Sequence, residues 1–116
     1  MTTATETVSD SKILSTKKGA VGHLVFNNPE KHNAFSLDMS IAAADVMEDF
    51  LADSAVRVIV LSGAGDKAFV SGADISKFEK SRATKEDIEN YNRQGERFRT
   101  LLKDSAKPTI AMIRGY

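Results

Sequence analysis

From Val56 to Gly63 the chain reads Val-Arg-Val-Ile-Val-Leu-Ser-Gly, an almost continuous aliphatic run closed by a glycine. Its length is that of a strand, its β-branched content favours one, and the near absence of polar alternation points to burial on both faces, hence to parallel pairing. One such strand restricts the rest of the fold. Parallel neighbours are joined by crossovers, so helices are expected between the remaining strands.

The flanking segments supply that alternation. "KILST" and "VGHLVFN" alternate apolar and polar residues around Lys18-Gly19, the pattern of a β-hairpin. "NNPEKHNAFS" reads as a loop ending on Ser36, an N-cap residue type, with Asp38 in the first turn where a negative charge suits the helix dipole. From there Leu37, Ile41, Ala44, Met47 and Leu51 recur at the spacing of an amphipathic helix's inner face. A second helix is expected over about Thr84 to Lys103, with Thr84 and Asp87 as a capping box and Ile88, Tyr91, Gly95, Phe98 and Leu102 on one side. "KPTIAMIRGY" places Pro108 at the entrance of a last aliphatic strand. The "GAGDKAF" turn leads into Phe69-Val70, which reads as a short strand. The expected order is β-β-α-β-(short β)-α-β, an α/β domain over residues 12–116 with a mainly parallel sheet, preceded by a disordered tail at residues 1–11. No helix follows the last strand to cover it, so one flank of the sheet is expected to be bare. The chain is therefore expected to be an N-terminal portion of a larger domain, or one completed by a further chain or segment.

Composition removes several classes of function. Sixteen basic residues balance sixteen acidic ones, which gives no reason to expect nucleic acid or an anionic membrane as a partner. The absence of cysteine rules out thiolate chemistry and a disulfide framework, in keeping with a reducing compartment. No apolar run has the length of a membrane span. "MTTATETVSDS" carries two acids and neither a basic leader nor an apolar segment, so no signal or transit peptide is expected and the setting is read as cytoplasmic.

Several motifs suggest chemistry and fail on context. Gly63-Ala64-Gly65-Asp66-Lys67-Ala68 matches the G-x-G-x-x-A form of a dinucleotide fingerprint, but Phe69-Val70 follow where a helix would have to open, so a plain turn is the better reading. No P-loop motif is present. Gly63 and Ser71 do not frame a nucleophile elbow. His23 and His32 have no second ligand at metal spacing, so no metal site is expected. His23 reads as a surface or edge residue of its strand; His32, in the loop after Pro29, reads as a ligand contact or as a solvated histidine.

The stretch "FVSGADISKF" is different because it lacks reactive side chains. Small residues at a strand-to-helix junction let a ligand approach the backbone itself. The first amides of a helix have no internal partner and point outward at its positive end, where they can receive a phosphate or a developing oxyanion. Asp74 would cap that helix rather than carry a proton. The same residues also suit a tight turn with no ligand.

Three separated motifs resemble the enoyl-CoA hydratase/isomerase, or crotonase, superfamily. "NNPEKHNAFS" resembles that family's N/R-P-x-x-x-N-A-(L/F)-(S/N) loop. "VRVIVLSGAGDKAFVSGADISKF" resembles its strand-turn-G-A-D segment, and "KPTIAMIRGY" the strand preceding its glycine triplet. The resemblance implies the N-terminal portion of a crotonase-like (ClpP/crotonase) spiral of ββα units, incomplete at its C-terminal end. It implies an acyl-CoA enzyme, foremost an enoyl-CoA hydratase, with an enoyl-CoA isomerase, a CoA-thioester hydrolase, or a non-catalytic acyl-CoA-binding protein as alternatives.

Residue by residue, the resemblance implies that the Ala73 amide is one of two oxyanion-hole donors to the thioester oxygen, with Gly72 clearing the approach. Lys31, His32 and Ala34, with Ser71, Ala73, Asp74 and Ile75, would meet the adenine-nucleotide end of coenzyme A. Lys31 and Lys77 are phosphate partners or solvated lysines. Asn33 reads as loop-shaping. The family's glycine triplet and its two glutamates have no match in these residues, and Glu79 and Glu89 read as surface acids. Coenzyme A enters as part of the substrate, with no tightly bound cofactor and no metal, and a homo-trimer or dimer of trimers is implied.

Overall fold

The computed structural model describes residues 11–72 and 84–115. Strands β1 (Ile13–Lys18) and β2 (Val21–Phe26) form an antiparallel hairpin around Gly19, whose φ of 59° suits a residue without Cβ. After a 3-10 turn at Pro29–Lys31 come helix α1 (Leu37–Ala52), strand β3 (Val58–Gly63), helix α2 (Lys85–Lys103) and strand β4 (Thr109–Met112). The sheet order is β1-β2-β3-β4, with β3 parallel to both neighbours. The fold is thus α/β with a mostly parallel sheet.

Caps fix both helix starts. Ser36 Oγ accepts the Met39 amide at 3.2 Å. At α2 the Thr84 hydroxyl accepts the Asp87 amide and the Asp87 carboxylate accepts the Thr84 amide, each at 3.0 Å, a reciprocal capping box. The buried stripe of α1 runs through Met39, Ala43, Ala44, Met47 and Phe50, whereas Leu37, Ile41 and Leu51 are half-buried. The expected face is therefore rotated, because α1 is gripped between the sheet on one side and α2 on the other. On α2, Gly95 and Phe98 are buried while Ile88 remains 46% exposed.

Pairing in the sheet places Ile13, Gly22, Leu24, Phe26, Ile59 and Leu61 on one face, and all of them are buried. Both helices lie on that side. Phe50 of α1 sits over Gly22, where an added Cβ would stand 2.8 Å from its ring. The ring of Phe98, from α2, meets Phe26 edge-on with centroids 6.2 Å apart.

Three expectations are corrected here. β3 pairs in parallel as expected, yet its burial alternates: Ile59 and Leu61 are buried while Val58 and Val60 are only half-buried. The helices cover one face of it, and among the described residues nothing covers the other equally. β4 is exposed throughout, with Ile110 at 50% and Met112 at 49%. His23 is not on an edge: β2 lies between β1 and β3, and His23 is half-buried with its Nε2 2.7 Å from Ser62 Oγ. Lastly, Phe69-Val70 form no strand. The polar groups around them bond to the 3-10 turn and the residues after it instead of to a neighbouring strand.

Candidate functional site

The site begins with the 29–35 turn. Pro29, with its preset φ and missing amide, opens the 3-10 helix. The Lys31 and Asn33 amides both donate to the Asn28 carbonyl, at 3.0 and 2.7 Å. His32 and Asn33 then take consecutive left-handed conformations, φ 53° and 59°, a region in which histidine and asparagine are enriched. The turn is held from inside by two buried asparagines. The Asn33 Oδ1 accepts the Asn28 amide at 2.8 Å, and Asn28 Nδ2 donates to the Ala34 carbonyl at 3.0 Å.

Facing the turn is the irregular segment from Ala64 to Gly72. The Ser71 amide donates to the His32 carbonyl at 3.2 Å, and the Phe35 amide donates to the Gly72 carbonyl at 2.7 Å. The Ser71 hydroxyl adds a bond to the Lys31 carbonyl at 3.3 Å. Both segments rest on an aromatic floor, where Phe26 meets Phe35 and Phe69 edge-on with centroids 5.6 Å apart in each case. Tyr91 of α2 donates its hydroxyl to the Phe35 carbonyl at 3.3 Å.

Between the two segments lies a cavity of about 290 Å³ with Pro29, His32 and Asn33 on one wall and Ala64, Asp66 and Ala68 on the other. It continues into an open cleft of about 760 Å³ lined by His32, Asp66, Lys67, Ala68, Ser71 and Gly115. A Cβ on Gly115 would collide with the Lys67 carbonyl, so the chain beyond β4 closes directly onto the loop. Gly72, at the cleft's mouth, has φ 142° and open space where a Cβ would point.

Of the residues singled out from sequence, His32 and Ser71 line this cleft, and Lys31, Ala34 and Gly72 adjoin them in the two paired segments. Lys31, His32, Ser71 and Gly72 are exposed and Ala34 is half-buried. Ala73, Asp74, Ile75 and Lys77, with Glu79 and the start of the helix expected there, lie outside the described residues. Glu89 is exposed on α2. No helix opens at Gly63–Ala68, the requirement that a dinucleotide fingerprint would have had to meet.

Among the described residues, the acid–base groups with displaced proton affinity stand away from the cleft. Lys17 is raised by its bonds to Asp49 and Asp53, Asp53 is lowered chiefly by Lys17, and Arg97 is raised chiefly by Asp45. Glu96 is lowered by Arg99 on the exposed side of α2. These are surface ion pairs of β1, α1 and α2. Among the described residues, no three histidine, aspartate or glutamate side chains converge as a metal site would require.

The family model for enoyl-CoA hydratase/isomerase matches residues 16–116. The chain belongs to the enoyl-CoA hydratase/isomerase family. It is 34% identical over 99 residues to hydroxycinnamoyl-CoA hydratase-lyase of Pseudomonas fluorescens, which covers 83% of this chain and 36% of that protein. It is 29% identical over 104 residues to crotonyl-CoA hydratase of Syntrophomonas wolfei, covering 90% and 39%. The crystal structure of an enoyl-CoA hydratase/carnithine racemase from Magnetospirillum magneticum superimposes with a TM-score of 0.82 at 33% identity, covering 90% of this chain and 39% of that one. The chain therefore has the crotonase fold and spans about two fifths of the length of these family members.

Sequence reasoning missed how this family turn is held against its opposite wall. Asn33 reads from sequence as loop-shaping, but its partners across the gap lie more than 30 positions away at Ala64 and Ala68. Gly63 reads as the end of a strand and the start of a plain turn. In the fold, its missing side chain leaves the space that Asn33 Nδ2 and the carbonyls of Ala68 and Phe69 occupy.

Proposed function

We propose that this chain is part of an acyl-CoA enzyme, foremost an enoyl-CoA hydratase, and supplies one oxyanion-hole donor and much of a coenzyme A cradle. The observation that carries this reading is the pairing of the 31–35 turn with Ser71-Gly72 around an open cleft, immediately before Ala73. Lys31, His32, Ala34 and Ser71 face the nucleotide end of coenzyme A, with Asp74, Ile75 and Lys77 continuing that contact. Gly72 leaves the thioester an unobstructed path to the Ala73 amide.

The chemistry follows from where charge develops. Forming an enolate from a thioester places negative charge on one oxygen, and a fixed amide aimed at that oxygen stabilises the transition state by about 3–4 kcal/mol per donor. The second donor and the groups that move water's proton are assigned to residues outside this chain, since the glycine triplet and glutamates have no counterpart in it. The reading also carries the family's trimer or dimer of trimers and a cytoplasmic setting. The exposed Ile110, Met112 and Ile113 side chains favour an assembly or segment that covers them, and no described helix is long and apolar enough to cross a membrane.

Two measurements test the proposal. The 116-residue chain should bind crotonyl-CoA yet leave its enoyl-thioester absorbance unchanged; saturable loss of that absorbance would overturn the division of labour. In a protein that supplies the second donor and the glutamates, Ala73→Pro should abolish hydration while the fold is kept, and Gly72→Val should do the same by blocking approach. Near-normal turnover by a folded Ala73→Pro variant would remove Ala73 from the oxyanion hole.

A further inference from the structure

We propose that Asn33 is a positioning residue that locks the two walls of the cleft at a fixed separation and thereby sets coenzyme A affinity. The inference rests on the coenzyme A reading above and adds the element that holds the cradle in shape.

Asn33 is 1% exposed and uses both ends of its amide. Its Oδ1 accepts the Asn28 amide at 2.8 Å, which closes the turn on its own side. Its Nδ2 donates across the gap to the Ala64 carbonyl at 3.0 Å and the Ala68 carbonyl at 2.9 Å. Chemistry fixes this orientation. A flipped amide would set its oxygen against two carbonyl oxygens and its NH2 against an N–H.

The two acceptors are the two ends of the loop that forms the opposite wall, so one side chain gathers the base of that loop and ties it to the turn. Gly63 makes this possible. A Cβ there would stand 2.8 Å from Asn33 Nδ2 and 2.5 and 2.6 Å from the carbonyls of Phe69 and Ala68. Downstream, Ser71 and Gly72 hold to the turn through backbone bonds of their own. Loss of the Asn33 bridge should therefore loosen the 64–68 wall more than the Ser71-Gly72 mouth.

Two substitutions separate the bridge from the turn. Asn33→Asp keeps an acceptor for the Asn28 amide but loses both donors and faces two carbonyls with a carboxylate. Asn33→Gly removes the side chain yet suits the left-handed φ. Met47→Ala, a core truncation away from the cleft, serves as a control for general destabilisation. All are compared with the wild-type 116-residue chain, below their melting temperatures, by titration with coenzyme A and by amide hydrogen exchange.

Both Asn33 variants should bind coenzyme A about tenfold more weakly, about 1.4 kcal/mol, with faster exchange over residues 63–72 in both and, in Asn33→Gly alone, at the Asn28 amide as well. Met47→Ala should leave the affinity within twofold while lowering the melting temperature. The inference is overturned if the Asn33 variants keep wild-type affinity, if their exchange over 63–72 is unchanged, or if Met47→Ala weakens binding as much. A wild-type chain that binds no coenzyme A would refute the coenzyme A reading and the affinity claim with it, and the exchange pattern would still decide whether Asn33 locks the walls.

Discussion

Lys107 offers a test of how the fold holds its last strand in place. Helix α1 has no basic residue in its final turn, so its negative end is unneutralised from within. Lys107 reaches it from more than 50 residues away, donating from Nζ to the carbonyls of Phe50 at 2.6 Å and Asp53 at 2.7 Å. Next to it, the Pro108 carbonyl accepts the Ile59 amide at 3.0 Å, so the same residue anchors the entry of β4 beside β3. Lys107→Met keeps the aliphatic stem and removes both bonds. Each hydrogen bond to a charged group is worth about 1.5–3 kcal/mol. The Phe50 carbonyl retains the Asp53 amide at 3.3 Å, and Lys107 is only partly buried. Two such bonds would give about 3 kcal/mol at the bottom of the range. Because the Asp53 carbonyl likewise keeps the Val56 amide at 3.0 Å and water reaches the site, the loss is about 2 kcal/mol in all, including the favourable end charge on the helix. With an unfolding entropy of about 2.1 cal/mol/K per residue over this chain, that is a fall in melting temperature of roughly 8 °C. Far-ultraviolet circular dichroism against temperature measures it directly. A melting temperature within about 2 °C of wild type would refute the clamp.

Further outcomes follow from the same geometry. Gly22→Ala inserts a methyl against the buried ring of Phe50 and should cost about 1–3 kcal/mol by overpacking, read as a lower urea midpoint; an unchanged midpoint would mean that the ring is free to move. Lys17 lies 2.8 Å from the carboxylates of both Asp49 and Asp53, and Asp53 is held below its ordinary pKa chiefly by that bond. A lowered folded-state pKa contributes stability above the unfolded value and loses it as pH falls through the folded one. The melting-temperature gap between wild type and Lys17→Met should therefore be present at about pH 7 and close at about pH 2. A gap that persists in acid would assign it to packing of the lysine stem rather than to charge.

Local signals in the sequence were strong where a single segment decides its own structure. The hairpin turn at Gly19, the Ser36 cap and the Thr84–Asp87 box each depend on residues within a few positions of one another, and each stands where the pattern placed it. Misreadings arose where distant segments decide. Phe69-Val70 has the composition of a strand, but the backbone around it spends its hydrogen bonds on Asn33, His32 and Phe35. The inner face of α1 is rotated because α2, about 35 residues later, competes with the sheet for its surface. His23 reads as a surface or edge residue, and strand order, which places β2 centrally, removes only the edge alternative. The cleft was legible in part. The motifs located its members, but not the asparagine bridge or the collision-limited approach of Gly115 to Lys67.

The two outer strands of the sheet have opposite characters. Among the described residues β1 is an outer strand; it carries the exposed Lys18 next to Lys17, which Asp49 and Asp53 hold over α1, and lysines on such a strand discourage another from pairing there. β4, with Ile110 and Met112 exposed and Ile113 beyond it, has no such gatekeeper on its own residues. Growth of this sheet is therefore directional. Any strand that joins it, from the same polypeptide or another, is steered to β4, and self-association of this chain at high concentration should begin at that one edge and be suppressed by a lysine introduced at Ile110.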